Sequence, residues 1–330
     1  MNREQIWDML EAFDLQDVEE ADYTVGVFDE QHLVGFGSLR NDVIVGVVVR
    51  REAQNEGISA KIISHLIQVA VDQGKSTVYL FTKPEKAHFF FGLGFRLVAE
   101  APPHAVMLEW GDNALAFYLE RTRRQAFDGL PESAVIVMNA NPFTCGHRFL
   151  VEKAAAENEY LYVVIVEEDR SLLSFDVRFV LAQKCTAHLE NVRVLSGGHY
   201  AVSALTFPSY FTQEHRMAEA HASMDLALFT AHLAPALNVK MRYIGMEPYN
   251  EVTRVYNETM KQLLPAQGIR VVEVPRVSVG GETVSACAVR YLLAQPEQKE
   301  NNMMKLRSLV PPPTYAYIVD HWDQLVRRLA

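Results

Sequence analysis

Cysteine is scarce in this chain. There are three in 330 residues, Cys145, Cys185 and Cys287, an odd count with no C-x-x-C pair. That argues against a disulfide scaffold and a cysteine-built zinc site, and it fits a reducing compartment. Basic excess is lacking too. Lysine and arginine number 31 against 41 acidic residues, a formal charge of −10. General nucleic-acid coating is excluded, because it needs surplus cations along the phosphate backbone. A local basic pocket for a small phosphorylated ligand remains compatible with this balance. No apolar run approaches the ~18 residues of a membrane helix. Residues 1–8 hold no apolar core of signal-peptide length. The expectation is a soluble, cytoplasmic protein without repeats or low-complexity tracts.

What is present is ordinary globular material, 49% hydrophobic and 22% charged, which excludes a disordered or collagen-like chain. The 330 residues are about twice the ~150 of a typical domain, so two domains are expected. The first part alternates strands and helices. A short amphipathic helix is predicted over 4–13, with Ile6, Leu10 and Phe13 at helical spacing. Strands follow over 24–28, 32–40 and 43–50, the last dense in valine and isoleucine. A glycine-containing turn then leads to a helix over 60–73, whose Ile62, Ile63, Leu66, Ile67 and Ala70 share one face. A strand over 78–81 and a short helix ending in Gly92-Leu93-Gly94-Phe95-Arg96 complete this part.

Residues 121–133 carry a polar shift with Gly129 and Pro131, and mark the boundary. Beyond it the alternation resumes, with strands predicted over 134–138, 160–166, 192–195, 239–245 and 270–274. Helices are predicted over 147–158, 176–190, 212–232, 253–263 and 286–294, with a last one over 315–328 behind Pro311-Pro312-Pro313. Such alternation implies a parallel α/β sheet with right-handed crossovers.

The most informative stretch is Val135-Ile136-Val137-Met138-Asn139-Ala140-Asn141-Pro142-Phe143-Thr144-Cys145-Gly146-His147. An apolar strand runs into a polar loop, then a glycine, then a helix. Thr144 and His147 therefore stand at a strand's carboxyl end, where open α/β sheets hold ligands. A helix N-terminus offers unpaired amides and a positive dipole end to phosphate. Gly146 lets the backbone approach closely. Thr144 offers a hydroxyl, and His147 a ring N–H for charge building on a phosphoryl oxygen.

Thr144-Cys145-Gly146-His147 resembles the (Thr/His)-x-Gly-His signature of the nucleotidylyltransferase superfamily. That superfamily carries a second signature downstream, and Val284-Ser285-Ala286-Cys287-Ala288-Val289-Arg290 has its shape, with cysteine where Ser/Thr is usual. The two stand in order, about 140 residues apart. Ser285 is placed to cap a helix. Arg290 lies just over one turn on, from where its guanidinium reaches back toward phosphates. The resemblance implies that this segment grips the β- and γ-phosphates of ATP. Asn139 and Asn141 in the loop, and Arg178 opening the next helix, are further candidates for nucleotide contact. Glu167-Glu168-Asp169 follows a strand and is either a solvated acidic turn or a help to Mg2+. Gly245-Met246-Glu247-Pro248-Tyr249-Asn250, followed by Thr253, Tyr256 and Asn257, has the position of a nucleotide or substrate loop. His215 and His221 lack zincin spacing, and no metal site is assigned.

In the first part, Gln54-Asn55-Glu56-Gly57-Ile58-Ser59 resembles the (Gln/Arg)-x-x-Gly-x-(Gly/Ala) loop of the GNAT acyltransferase fold. Gln54 and Gly57 are its candidate binding residues, since that loop holds the pyrophosphate of coenzyme A in the family. The segment ending Gly94-Phe95 resembles the later GNAT motif. Phe90 stands where that family often has a tyrosine acid, so the resemblance does not supply one. A thiol acceptor, with a pKa near ~8.5, needs only modest activation.

One family joins these two domains in this order, the citrate lyase ligases, and Met138–Arg148 is similar to its characteristic segment. The resemblance spans essentially the whole chain. It implies an α/β protein with a GNAT-like domain over 1–128 and a Rossmann-like nucleotidylyltransferase domain over 129–330. It implies ATP with Mg2+, acetate, an acetyl-AMP intermediate, and transfer to the thiol of a dephospho-coenzyme-A-derived prosthetic group. The partner would be the citrate lyase complex, through its acyl carrier subunit, with no nucleic acid or membrane involved. Thr144, His147 and Arg290 are the expected catalytic residues; Gly146 and Ser285 are expected to bind the nucleotide. From the residues alone three alternatives stay open. They are an adenylyltransferase acting on a phosphopantetheine-like phosphate, a GNAT enzyme using acetyl-coenzyme A, and a non-catalytic nucleotide sensor.

Overall fold

The computed structural model describes residues 3–13, 21–54, 56–168, 171–202, 207, 217–247, 251–279 and 282–329. The chain divides into two compact units. One comprises Met1–Tyr118 with Phe207–Leu228, the other Leu119–Thr206 with Phe229–Ala330.

The first unit begins with α1 (Arg3–Ala12), β1 (Tyr23–Asp29), β2 (His32–Arg40) and β3 (Val43–Val49). Then come α2 (Ile58–Asp72), β4 (Thr77–Thr82), α3 (Ala87–Phe91), β5 (Arg96–Ala101) and β6 (Ala105–Gly111). The six strands form one sheet in the order β1-β2-β3-β4-β6-β5. All neighbours are antiparallel except β3 and β4, which run parallel and pair only at Val43–Tyr79 and Ile44–Leu80. The predicted stripe on α2 is what buries the helix. Ile62, Ile63, Leu66 and Ala70 pack with Leu39, Ile44, Leu80, Val106 and Leu108. Met9 and Leu10 of α1 join Leu33, Phe36 and Val48 in a separate cluster. Strands β5 and β6 lie where the sequence reading places none. Ala105–Glu109 of β6 is a continuously buried run, and a short buried run carries no period that separates strand from helix.

Helix α4 (Ala114–Arg124) contains the division between the units. It occupies part of the polar stretch read as boundary, because Arg121, Arg123 and Arg124 sit at its C-terminal end, where the dipole favours cations.

The second unit continues with β7 (Ser133–Met138), α5 (Cys145–Glu157), β8 (Leu161–Ile165), α6 (Phe175–Thr186) and β9 (Val192–Ser196). The next helix, α7 (Met217–Leu228), belongs to the first unit and packs on β5 and β6. A π-helical turn (Phe229–Leu233) and α8 (Ala234–Ala236) lead to β10 (Val239–Gly245), α9 (Glu251–Leu263) and β11 (Arg270–Val274). A small hairpin, β12 (Ser278–Val279) and β13 (Glu282–Thr283), precedes α10 (Ala286–Leu293) and α11 (Lys299–Leu309). The chain closes with α12 (Pro312–Asp320) and α13 (Trp322–Leu329). The single terminal helix expected over 315–328 is thus two helices, and α11 stands ahead of them. Pro312 and Pro313 do not separate elements. They fill the first turn of α12, where a missing N–H costs nothing.

The five strands of this unit are all parallel, in the order β11-β10-β7-β8-β9. Valine, leucine and isoleucine fill β7 and β8 because such a sheet is buried on both faces. The order reverses between β7 and β10. Loops leaving these two strands therefore part in opposite directions and open a crevice at the carboxyl edge.

Candidate active site

That crevice is a cavity of about 610 Å³, lined from β7, α5, β10, α9, the segment after β11, and the start of α10. The two sequence signatures meet in it. Gly146 is the reason they can. A Cβ on Gly146 would stand 3.2 Å from the Val284 carbonyl oxygen, so a side chain there pushes the second signature away. With glycine, the N-termini of α5 and α10 open side by side on one cavity.

Thr144 caps α5 in a reciprocal arrangement with His147. The Thr144 hydroxyl oxygen accepts from the His147 backbone N–H at 3.3 Å, and His147 Nδ1 accepts from the Thr144 backbone N–H at 3.0 Å. An amide N–H only donates, so Nδ1 carries the lone pair and the imidazole proton is on Nε2. Burial and the nearby Arg276 charge push the His147 pKa down to about 4. At neutral pH the ring is an uncharged Nε2–H donor, locked in one orientation. The Thr144 hydroxyl, also 3.0 Å from Nδ1, is committed to this positioning.

On the other side Ser285 caps α10, accepting from the Ala288 N–H at 3.0 Å. Arg290 lines the cavity and donates to the Asn141 carbonyl at 2.6 Å, tying the second signature to the first loop. Cys287 is exposed on the cavity wall. Gly245, Glu247, Thr253, Tyr256 and Asn257 line it from β10 and α9, and Asn257 Nδ2 donates to the Gly245 carbonyl at 3.1 Å. Pro248, Tyr249 and Asn250 lie outside the described residues.

Arg178, a candidate for nucleotide contact, stands apart from these residues. It is fully buried and does not line the cavity. Its guanidinium donates to the carbonyls of Leu173 (3.2 Å), Asn139 (2.7 Å), Val166 (2.9 Å) and Glu168, and to Asn139 Oδ1 (2.8 Å). It holds the loops after β7 and β8 in shape. Asn139 and Asn141 work within the same frame. Asn139 receives Arg178, and Asn141 Oδ1 accepts from the Leu173 N–H at 3.1 Å. Neither lines the cavity. The acidic turn is away from it as well. Glu167 accepts from Ser196 Oγ (2.7 Å), buried Glu168 from Ser171 Oγ (2.6 Å), and Asp169 lies outside the described residues, as does His215. Gln54 and Gly57 sit together in the first unit, after β3. Gln54 Nε2 donates to the Val49 carbonyl at 3.2 Å, and Gly57 caps α2 with φ +74°, a conformation that favours glycine. Asn55 of that loop lies outside the described residues. Phe90 is buried and meets Phe89 and Phe95 edge-on.

Two cavity residues escaped the sequence reading. Arg242 is buried in β10, bonds the Tyr256 hydroxyl at 2.7 Å, and stacks over Phe229 at 4.4 Å. Arg276, just past β11, donates its Nε–H to the Met246 carbonyl at 2.7 Å and pairs through Nη2 with Glu247. A cation directly after a strand's carboxyl end was the available signal. The lining holds Arg242, Arg276 and Arg290 against Glu247, a positive pocket in a chain of charge −10. Among the described residues no group of three His, Cys, Asp or Glu side chains could hold a metal, and no helix is long and apolar enough to cross a membrane.

Residues 133–318 match the family described as "Citrate lyase ligase C-terminal domain", and residues 2–95 match the "Acetyltransferase (GNAT) family". The chain is similar to a citrate (pro-3S)-lyase ligase of Klebsiella pneumoniae, 38% identical, with 91% of this chain and 88% of the relative covered. It is similar to one of Haemophilus influenzae at 34% identity, over 90% of this chain and 88% of the relative. A third, of Escherichia coli K12, is 33% identical over 90% of this chain and 86% of the relative.

Proposed function

The chain belongs to the citrate lyase ligase family, and we propose that it activates citrate lyase by ATP-dependent acetylation of the lyase's thiol prosthetic group. The observation that carries this is the convergence of Thr144-Cys145-Gly146-His147 and Ser285–Arg290 on one positive cavity at the sheet's switch point. The full-length relatives do not favour a plain adenylyltransferase, an acetyl-coenzyme-A-dependent enzyme or a sensor.

The reaction has two steps. An acetate oxygen attacks the α-phosphorus of ATP, a C(=O)O–P bond forms, and the Pα–O–Pβ bond breaks with its electron pair leaving on pyrophosphate. No proton moves. The protein's contribution is positioning and charge stabilisation. His147 Nε2–H, Arg290 and the free amides at the starts of α5 and α10 receive the departing pyrophosphate. Mg2+, when bound, would come with the ATP phosphates and neutralise part of their charge. The thiol of the carrier subunit's dephospho-coenzyme-A-derived arm then loses its proton to solvent and its sulfur attacks the acetyl carbonyl of acetyl-AMP; the C–S bond forms and the C–O bond to phosphate breaks with its electron pair leaving on AMP. The unit of residues 119–206 and 229–330 carries the adenylation. The unit of residues 1–118 and 207–228 holds the arm by the Gln54–Gly57 loop, as binder and not as acid, because Phe90 has no hydroxyl to donate.

Exchange of labelled pyrophosphate into ATP is the test. Exchange that depends on acetate, with or without thiol-form citrate lyase, supports the acyl-adenylate route. Absence of exchange in both conditions, with ATP consumed on a phosphorylated acceptor instead, overturns it.

A further inference from the structure

Arg276 belongs to neither signature, yet it stands in the same cavity as both. Its anchors are on β10's exit. Nε bonds the Met246 carbonyl at 2.7 Å and Nη2 pairs with the Glu247 carboxylate. A guanidinium has five N–H donors in a rigid fork. Among the described residues two are spent, and three remain. The side chain is 25% exposed and Glu247 10%, so the pair is held firmly at the cavity wall. A surface arginine with a solvated carboxylate would be neither oriented nor committed in this way.

The position along the cavity decides what the fork meets. The N-termini of α5 and α10 abut through Gly146 and Val284, on the β7 side. With the outer phosphates seated at these N-termini, as the adenylation reading has it, the rest of a nucleotide would run along the cavity wall made by Gly245, Thr253 and Tyr256. The inner phosphate would then fall between the two, and Arg276, which follows β11, lines the same cavity. Arg276 also stands close enough to His147 for its charge to act on the ring.

We propose that Arg276, positioned by Glu247, is the α-phosphate ligand and the stabiliser of charge on that phosphorus during acyl transfer. The proposal rests on the adenylation reading above. When acetate adds to the α-phosphorus, charge spreads over its equatorial oxygens. A preoriented fork meets it without reorganisation. Arg290 serves pyrophosphate, and Arg276 serves the phosphorus that stays with adenosine.

Binding separates the two assignments without any turnover. Affinities for AMP, adenosine and pyrophosphate are measured by calorimetry on the full chain, for wild type, Arg276→Gln, Arg276→Lys, Glu247→Gln and Arg290→Gln. Arg276→Gln is expected to weaken AMP by about tenfold to hundredfold, the scale of a charge-assisted bidentate contact, and to leave adenosine and pyrophosphate unchanged. Arg290→Gln is expected to weaken pyrophosphate alone. Arg276→Lys keeps the charge without the fork and recovers part of the loss. Glu247→Gln weakens AMP less than Arg276→Gln. In pyrophosphate exchange, Arg276→Gln lowers kcat by about a hundredfold, the scale of a lost transition-state donor, with a smaller rise in KM for ATP. Unchanged AMP affinity in Arg276→Gln overturns the proposal, as does a loss that falls on adenosine or pyrophosphate. Wild-type protein that fails to exchange overturns the adenylation reading instead, while the AMP comparison still decides Arg276.

Discussion

Replacing Arg178 by methionine tests whether this buried side chain is a clasp of loops or a phosphate ligand. Methionine has nearly the length of the arginine stem and no donor. The substitution removes five hydrogen bonds and leaves the carbonyls of Asn139, Val166, Glu168 and Leu173 without this partner in a buried loop junction. Net values of ~1 kcal/mol per bond, together with desolvation of stranded acceptors, put the loss at about 3–5 kcal/mol. A domain holds only about 5–15 kcal/mol in total. The melting temperature of the second unit should fall by roughly 6–20 °C, since each kcal/mol is worth ~2–4 °C at this size. Differential scanning calorimetry of the full chain, with and without ATP, reads it. A lysine at the same position regains part of the loss, because its point charge cannot span acceptors that lie in different loops. Were Arg178 a phosphate ligand, its loss would relieve a desolvated cation. The melting temperature would then stay within ~2 °C while the ATP KM rose tenfold, and that result would refute the reasoning.

Two further outcomes are expected. His147 is held neutral, its pKa pushed down to about 4 from the usual 6.5. The unfolded chain therefore takes up this proton first as pH falls, and stability drops between pH 6.5 and 4 by up to about 3 kcal/mol. Urea titrations of wild type and His147→Asn across that range check it, and parallel curves would count against a neutral ring. Gly146→Ala brings a methyl to 3.2 Å of the Val284 carbonyl. Pyrophosphate exchange should fall at least tenfold, for about 1–2 kcal/mol of stability, as the two helix starts are pushed apart. Wild-type exchange in Gly146→Ala would show that their spacing is not critical.

Features whose cause is local were legible in the residues alone. Helix α2 follows from a stripe of isoleucine and leucine that has only one way to be buried. The capping of α5 by Thr144 and of α10 by Ser285 follows from hydroxyls placed before helical runs. The placement of Thr144 and His147 at a strand's carboxyl end follows from an apolar strand that runs into Thr-x-Gly-His. Other features depended on which chain segments come together. The pairing of β5 and β6 became visible only once β6 lay between β4 and β5. The allegiance of α7 to the first unit is a long-range packing choice that no periodicity records. Arg178, Arg242 and Arg276 look alike as letters. Tertiary structure makes the first a clasp of carbonyls, the second a buried partner of Tyr256, and the third a cavity cation held by Glu247. The physical reason is that a guanidinium's role is set by its acceptors, and for Arg178 and Arg276 those acceptors come from strand exits, for Arg242 from a helix packed beside its strand.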